Sequence, residues 1–174
     1  MPAVRAWRAP VAIALAVIAL DQLTKHWAVT SLGTDREIDL FWTLRLNLAF
    51  NNGMAFGQGQ GFGPVIAVIA TVVIVYLLVS LQTESSPMGT IGMGLLIGGA
   101  AGNLIDRLFR GDDGFLQGGV VDFIDLQWFP IFNIADIAIN VGALLLIINS
   151  IVTSRTHRHD DSDEPVADDA SSST

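Results

Sequence analysis

Three carboxylates stand in one otherwise apolar stretch, residues 120–136, which reads VVDFIDLQWFPIFNIAD. They are Asp122, Asp125 and Asp136, and the last opens a long run of hydrophobic residues. Ionisable side chains at the edge of a hydrocarbon layer are costly, so by default they are read as functional. Two aspartates brought close cannot easily both ionise; one keeps a proton, and the pair can act as base and acid together. The base would draw a proton from water while the acid protonates a carbonyl oxygen or a leaving amine.

Other chemistries fall away by elimination. The chain has no cysteine, which excludes disulfides, thiol catalysis and thiolate metal sites. His26 is separated from His157 and His159 by most of the chain, so no histidine cluster has metal-ligand spacing. The serines lie mostly in loops or the tail, with no serine and histidine arrangement that would supply an activated nucleophile. Carboxylates, amides and two cations remain.

Among the acids, Asp136 is the strongest candidate because it opens a helix at membrane depth. Asp122, between Val121 and Phe123, has an apolar setting that raises a carboxylate pKa. Asp125, three residues on, is expected to face solvent. Asp106 has Arg107 beside it and Asn103 three residues before it, a grouping that fits a salt bridge or hydrogen-bond network as well as catalysis. Asn133 is placed to cap the helix that Asp136 opens or to orient an acid. These residues alone leave the choice of pair open.

The elements that must position them belong to a membrane protein. Of 174 residues, 51% are apolar and 15% charged, and mean hydropathy is +0.53. Four apolar runs, about 9–28, 64–82, 88–107 and 133–153, each approach the ~20 residues that a bilayer requires. The first has a basic start, but Asp21 and Lys25 interrupt its far end and no small-residue cleavage site follows, so it is read as a retained helix. The expected fold is an all-α four-helix membrane bundle forming one domain, 1–154, followed by an acidic disordered tail, 155–174. Half of the net charge of −8 lies in that tail, and no basic patch suggests nucleic acid.

Arg5 and Arg8 precede the first run, and Arg155 and Arg158 follow the fourth, which puts both termini on the cytoplasmic side. Asp21, then Asn103, Asp106 and Arg107, then Asp136 fall at the outer ends of three helices. At 1.5 Å per residue, the span after Asp136 places it roughly 25 Å above the cytoplasmic boundary. The polar residues therefore converge near the outer interface.

Residues 38–50 alternate strictly, with Ile38, Leu40, Trp42, Leu44, Leu46, Leu48 and Phe50 on one face. That period argues for an extended strand, part of a small outer β ribbon at about 36–57 lying on the membrane surface. The glycine-rich segment after Asn51 is expected to be turn-forming and mobile. Gly94, Gly98 and Gly102, at four-residue spacing, are expected to let helix three approach a neighbour closely, and Asp106 continues that face.

Five motifs then stand out as a set: Asp21-Gln22-Leu23-Thr24-Lys25; Phe50-Asn51-Asn52-Gly53-Met54-Ala55-Phe56-Gly57; residues 98–107, GGAAGNLIDR; Val120-Val121-Asp122-Phe123; and Phe132-Asn133-Ile134-Ala135-Asp136. In this order, within a four-span chain, they resemble lipoprotein signal peptidase, the signal peptidase II family. The resemblance implies a monomeric aspartic endopeptidase of the bacterial inner membrane. It would act beside membrane lipid on prolipoproteins carrying a diacylglyceryl group on a cysteine, cutting just before that cysteine. By matching positions, Asp122 and Asp136 resemble the catalytic pair. Asn103, Asp106, Arg107 and Asn133 resemble its polar shell, Asn51 a substrate-contacting residue, and Asp21 and Lys25 the outer end of the first helix. Met54 and Gly57 depart from the alanine and serine more usual there, which bears on substrate preference rather than chemistry. No metal or organic cofactor is implied. The alternatives are a small proton-coupled transporter or channel with intramembrane aspartates, and a non-catalytic scaffold built on the glycine face.

Overall fold

The computed structural model describes residues 3–33, 36–53, 62–111, 116 and 118–162. The glycine-rich segment expected to be mobile, with Met54 and Gly57 in it, and residues 163–174 of the acidic tail lie outside the described residues. The elements are α1 (Ala3–Ser31), β1 (Ile38–Phe41), β2 (Leu44–Asn51), α2 (Gly63–Ser80), α3 (Pro87–Phe109), β3 (Val120–Asp125) and α4 (Ile134–Ser162).

All four expected spans are helices long and apolar enough to cross a membrane: Trp7–Ser31, Gly63–Ser80, Pro87–Phe109 and Ile134–Arg155. Their starts follow from local chemistry. Pro64 occupies the first turn of α2, and α3 begins Ser86-Pro87, with the serine hydroxyl accepting the Gly89 N–H at 3.3 Å. Proline needs no N–H partner in a first turn, and a serine cap satisfies one that does. α4 runs past 155, where the tail was expected to begin, to Ser162. No proline or glycine stands between Gly142 and Pro165 to stop it.

Half of the apolar window of α3 is buried, against 17% for each of the others, so α3 is the central helix. It packs on α1, α2 and α4. The glycine stripe makes this possible. A Cβ at Gly98 would come within 2.8 Å of the Ala14 carbonyl oxygen of α1, and one at Gly102 within 2.6 Å of the Asp21 carboxylate. The stripe thus faces α1, and Asp106, continuing it, meets Lys25 of the same helix at 2.8 Å.

The expected ribbon is a three-stranded antiparallel sheet in the order β1-β2-β3. The single strand expected over 38–50 is instead a hairpin, turning at Trp42 and Thr43, with Trp42 in the left-handed region at φ 53°. A two-residue turn alone would reverse the phase of the alternation. An irregularity between Asp39 and Phe41 restores it, so that Ile38 pairs with Leu46 and both pack on the sheet's core. Sequence period therefore survives the bend and conceals it.

The third strand, β3, was not anticipated. It is buried on both faces, so it shows no polar and apolar alternation to betray a strand. Its Val121 and Phe123 pack with Ala28 and Leu32 at the end of α1, seating the sheet on the helical bundle. After β3 the chain reverses over Gln127–Phe129, with Gln127 at φ 67°, and returns so that Phe132 bridges to Ile124. Pro130 stands on the return leg.

Candidate active site

The reversal after β3 delivers the chain to Asn133, and α4 begins immediately beyond it. Asp136 N–H donates to Asn133 Oδ1 at 3.0 Å, while the Asn133 N–H donates to Asp136 Oδ2 at 3.1 Å. This reciprocal cap fixes Asp136 in the first turn of α4, where the helix dipole favours a negative charge. The Asn133 side chain is fully buried, and its Nδ2 donates to Asp122 Oδ1 at 2.6 Å. One asparagine therefore joins the two acids.

Asp122 reaches the site from β3. Its other oxygen accepts from Asn51 Nδ2 at 3.3 Å. Asn51 ends β2, and Ala49, two residues before it, pairs with Asp122 across the ladder. Asn51 is thus a diagonal cross-strand neighbour. Burial pushes the Asp122 carboxyl up to about 7, the negative charge of Asp136 adds to the rise, and hydrogen bonds from Asn133 and Asn51 and the charge of Lys25 offset part of it. A carboxyl in that range can hold a proton near neutral pH.

A charged network stands behind the pair. Lys25 Nζ, fully buried, lies 2.9 Å from Asp21 Oδ2, 2.8 Å from Asp106 Oδ2 and 2.8 Å from Asn103 Oδ1, which uses all three ammonium donors. With its oxygen turned to Lys25, Asn103 presents Nδ2 to Asp136 Oδ1 at 2.8 Å. Asp21 Oδ1 accepts the Ala135 N–H at 3.0 Å, tying α1 to the start of α4. Asp106 Oδ2 also accepts the Val121 N–H at 3.1 Å, tying α3 to β3. Asp106 is thus a structural acid, with Arg110 Nε at 2.6 Å on its other oxygen.

Asp125 is not solvent-facing as expected; it is 3% exposed. A strand sends residues three apart to opposite faces, which separates it from Asp122. It accepts from Arg45 Nε at 2.7 Å, Asn47 Nδ2 at 3.2 Å and the Gln127 N–H at 2.6 Å. Burial raises its carboxyl, but the bonds from Arg45, Gln127 and Asn47 together outweigh it and hold the pKa below the usual value. Its role is to lock the hairpin and the reversal onto β3.

Two clefts meet at the acids, and Asn51, Asp122 and Asp136 line both. The larger, about 430 Å³, runs between α4 and the return leg, past Phe129, Ile131 and Asn140. The smaller, about 280 Å³, opens between α2 and α4 past Ala67, Ala70 and Ile139. Arg107 lines the smaller one. It is 5% exposed; its Nη2 donates to the Gly53 carbonyl at 3.3 Å, and its Nη1 has no partner among the described residues.

The nine residues matched to the catalytic pair and its surroundings lie in this one region; eight are linked through Lys25, Asn103 and Asn133, and Arg107 lines the smaller cleft beside them. Three others went unnoticed. Gln22 Nε2 reaches Asp21, Asp106 and the Gly102 carbonyl. Arg110 was legible as a partner four residues after Asp106. Asn140 was legible as an amide inside an apolar run.

Comparison with known proteins meets this geometry from another direction. A family model described as signal peptidase (SPase) II matches residues 13–152. A lipoprotein signal peptidase of Mycobacterium avium (strain 104) is 39% identical over 148 residues, 84% of this chain and 81% of that protein. One of Rhodococcus jostii (strain RHA1) is 39% identical over 141 residues, 80% of this chain and 71% of that protein. Among solved structures, a bacterial membrane enzyme determined by the in meso method at 2.3 Å superposes with a TM-score of 0.73 at 30% identity, covering 83% of this chain and 88% of that one. A second such enzyme, at 1.9 Å, has a TM-score of 0.68 at 31% identity, covering 80% and 90%.

Proposed function

The chain belongs to the signal peptidase II family, and from that premise we propose that it is an aspartic endopeptidase in which Asp122 and Asp136 together activate water. A bacterial membrane protease of lipoprotein processing needs a proteolytic group at the lipid boundary, and family membership sets aside the proton-relay and scaffold alternatives. The observation that carries the catalytic assignment is that Asn133 bonds both acids, Asp122 through its side-chain Nδ2 and Asp136 through its backbone N–H, and that the two line the same clefts.

The pair shares one proton near neutral pH, and burial favours Asp122 as its holder. Asp136, at the N-terminus of α4, takes a proton from water as the water oxygen attacks the scissile carbonyl carbon. Asp122 gives its proton to the carbonyl oxygen, forming a neutral tetrahedral diol. On collapse, the C–N bond breaks, the leaving amine takes the proton held by Asp136, and a diol hydroxyl returns one to Asp122. Atoms and charge balance with water alone as co-reactant.

The substrate is a prolipoprotein with a diacylglyceryl group on the cysteine that follows the cut. Membrane anchoring by that lipid confines the scissile bond to the depth of the acids and supplies much of the positioning. Asn51, which lines both clefts, and Arg107, which lines the smaller one, are the contacts for substrate carbonyls. Asn103, Asp106, Asp21 and Lys25 hold the pair in place. Both termini are cytoplasmic, the acids lie near the outer face beside membrane lipid, and one copy of the chain suffices.

The test is cleavage of a lipidated precursor by purified protein in detergent, comparing wild type with Asp122→Asn and Asp136→Asn. Each variant is expected to remain folded and lose cleavage entirely. Full activity in either would remove it from the pair, and cleavage of a precursor lacking the lipid would overturn the substrate requirement.

A further inference from the structure

α4 carries two asparagines within its apolar run, and among the described residues only one has a partner outside its own helix. Asn149 accepts the Ser86 hydroxyl at 2.6 Å, a bond between α4 and the cap of α3. Among the described residues the Asn140 side chain makes one bond, from its Nδ2 to the Asp136 carbonyl of its own helix at 2.8 Å. The residue lines the larger cleft with Phe129, Ile131, Ile137 and Val141, and its Oδ1 has no partner among the described residues. An exposed amide in a membrane span is costly, and the cost points to a partner that is not part of the chain.

We propose that Asn140 is a substrate-binding residue whose side-chain amide pairs with a backbone peptide group of the unwound signal-peptide segment, about two residues before the scissile bond. This rests on the peptidase reading above. A peptide bond open to attack by water must leave the helix, and within hydrocarbon its neighbours then carry unpaired N–H and C=O groups, each costly to leave unsatisfied. An asparagine amide offers the same donor and acceptor set as a peptide group. It is therefore the side chain that best replaces one lost backbone partner.

The distance sets the register. Four residues along α4 separate Asn140 from Asp136, about 6 Å at 1.5 Å per residue. An extended chain covers that in about two residues at roughly 3.3–3.6 Å each. Asn140 lies further into the span than Asp136, and the embedded part of the substrate is its signal peptide. The contact therefore falls on that side of the cut.

Two precursors and three proteins test this. The first precursor is a lipidated peptide with all amide bonds; the second has an ester in place of the amide two residues before the cut, which removes one N–H and weakens one acceptor. Asn140→Leu, suited to a lipid-facing site, and Asn140→Ala are compared with wild type. On the all-amide precursor both variants are expected to raise KM about three- to tenfold, the worth of one hydrogen bond, with the smaller change in kcat. Wild type is expected to lose a similar factor on the ester, and the variants to lose nothing further. Wild-type KM in both variants, or losses that multiply, as they would if Asn140 met the lipid's ester groups instead, would overturn the contact while leaving the peptidase reading intact. Failure of wild type to cleave the all-amide precursor would overturn that reading, and the contact with it.

Discussion

Asn133 and Asp136 cap one another across three residues, with bonds of 3.0 and 3.1 Å in opposite directions, while the same Asn133 side chain donates to Asp122 at 2.6 Å. The start of α4 is therefore also the joint between the two acids. Asn133→Ser keeps a cap but removes the amide that reaches Asp122. The variant is expected to melt within about 1 kcal/mol of wild type and to cleave on the order of a hundredfold more slowly, because small misplacements of reacting groups carry losses of that size. Thermal melts and single-turnover rates in detergent check the two halves separately.

Lys25 is enclosed by Asp21, Asp106 and Asn103 with no exposure to solvent. Lys25→Met would leave two buried carboxylates facing each other with Arg110, on the far oxygen of Asp106, as their remaining cation. The expected loss is about 3–5 kcal/mol of stability, seen as a lower unfolding temperature. Adding Asp106→Asn to Lys25→Met removes one of those charges and is expected to restore part of the loss.

Across the interval between 3.8 and about 7, folded Asp122 holds a proton that an unfolded chain has released. A raised carboxyl stabilises the fold most fully below its unfolded pKa, and that contribution is lost as pH rises through the folded one. The unfolding temperature of wild type is thus expected to fall from pH 4 to pH 7 relative to Asp122→Asn, which lacks this titration. Parallel melts of the two proteins across that range check the slope. Cleavage by wild type is expected to decline on the alkaline side, with an apparent midpoint near 7 that belongs to the pair.

Asp125 holds Arg45, Asn47 and the Gln127 N–H on the face of β3 opposite Asp122. Asp125→Asn weakens the charge-assisted bond to Arg45 and is expected to lower stability by about 1–2 kcal/mol while retaining substantial cleavage. The Asp125 pKa lies below the ordinary value, so that stabilisation is present above pH 4 and lost as pH falls further. A loss of cleavage equal to that of Asp122→Asn in a folded protein would make Asp125 a member of the site.

At Gly98 a Cβ would meet the Ala14 carbonyl oxygen and Val17, both at 2.8 Å. Gly98→Val is expected to push α1 from α3 at a cost of about 1–3 kcal/mol, and to lower activity through the displaced Asp21 and Lys25. Thermal melts and cleavage rates of the variant check both effects. Gly33, where a Cβ would meet nothing, tolerates a change by comparison in space but not in backbone, at φ 59°.

The four helices were legible in sequence because a bilayer demands long apolar runs, and each run declares itself without reference to the others. Asp136 stood out because a carboxylate at the mouth of such a run is costly to keep there, which made it a candidate. The glycine stripe was legible because close approach requires small residues at one spacing. The five motifs, taken together, pointed to the family. These are local signals, carried by residues near one another in the chain.

What tertiary structure alone decided is which partner each residue meets. The hairpin at Trp42 is hidden in sequence because an irregularity in β1 preserves the phase of the alternation across the turn. β3 is hidden because burial on both faces erases the pattern by which strands are read. Asp125 reads as a surface acid because its cover, Arg45, lies eighty residues away. The bond from Asn133 to Asp122 exists only after β3 has paired with β2 and the chain has reversed. Type and spacing determined the inventory of acids and amides; the folding of strands and helices from distant parts of the chain onto one buried locus determined which two acids share it.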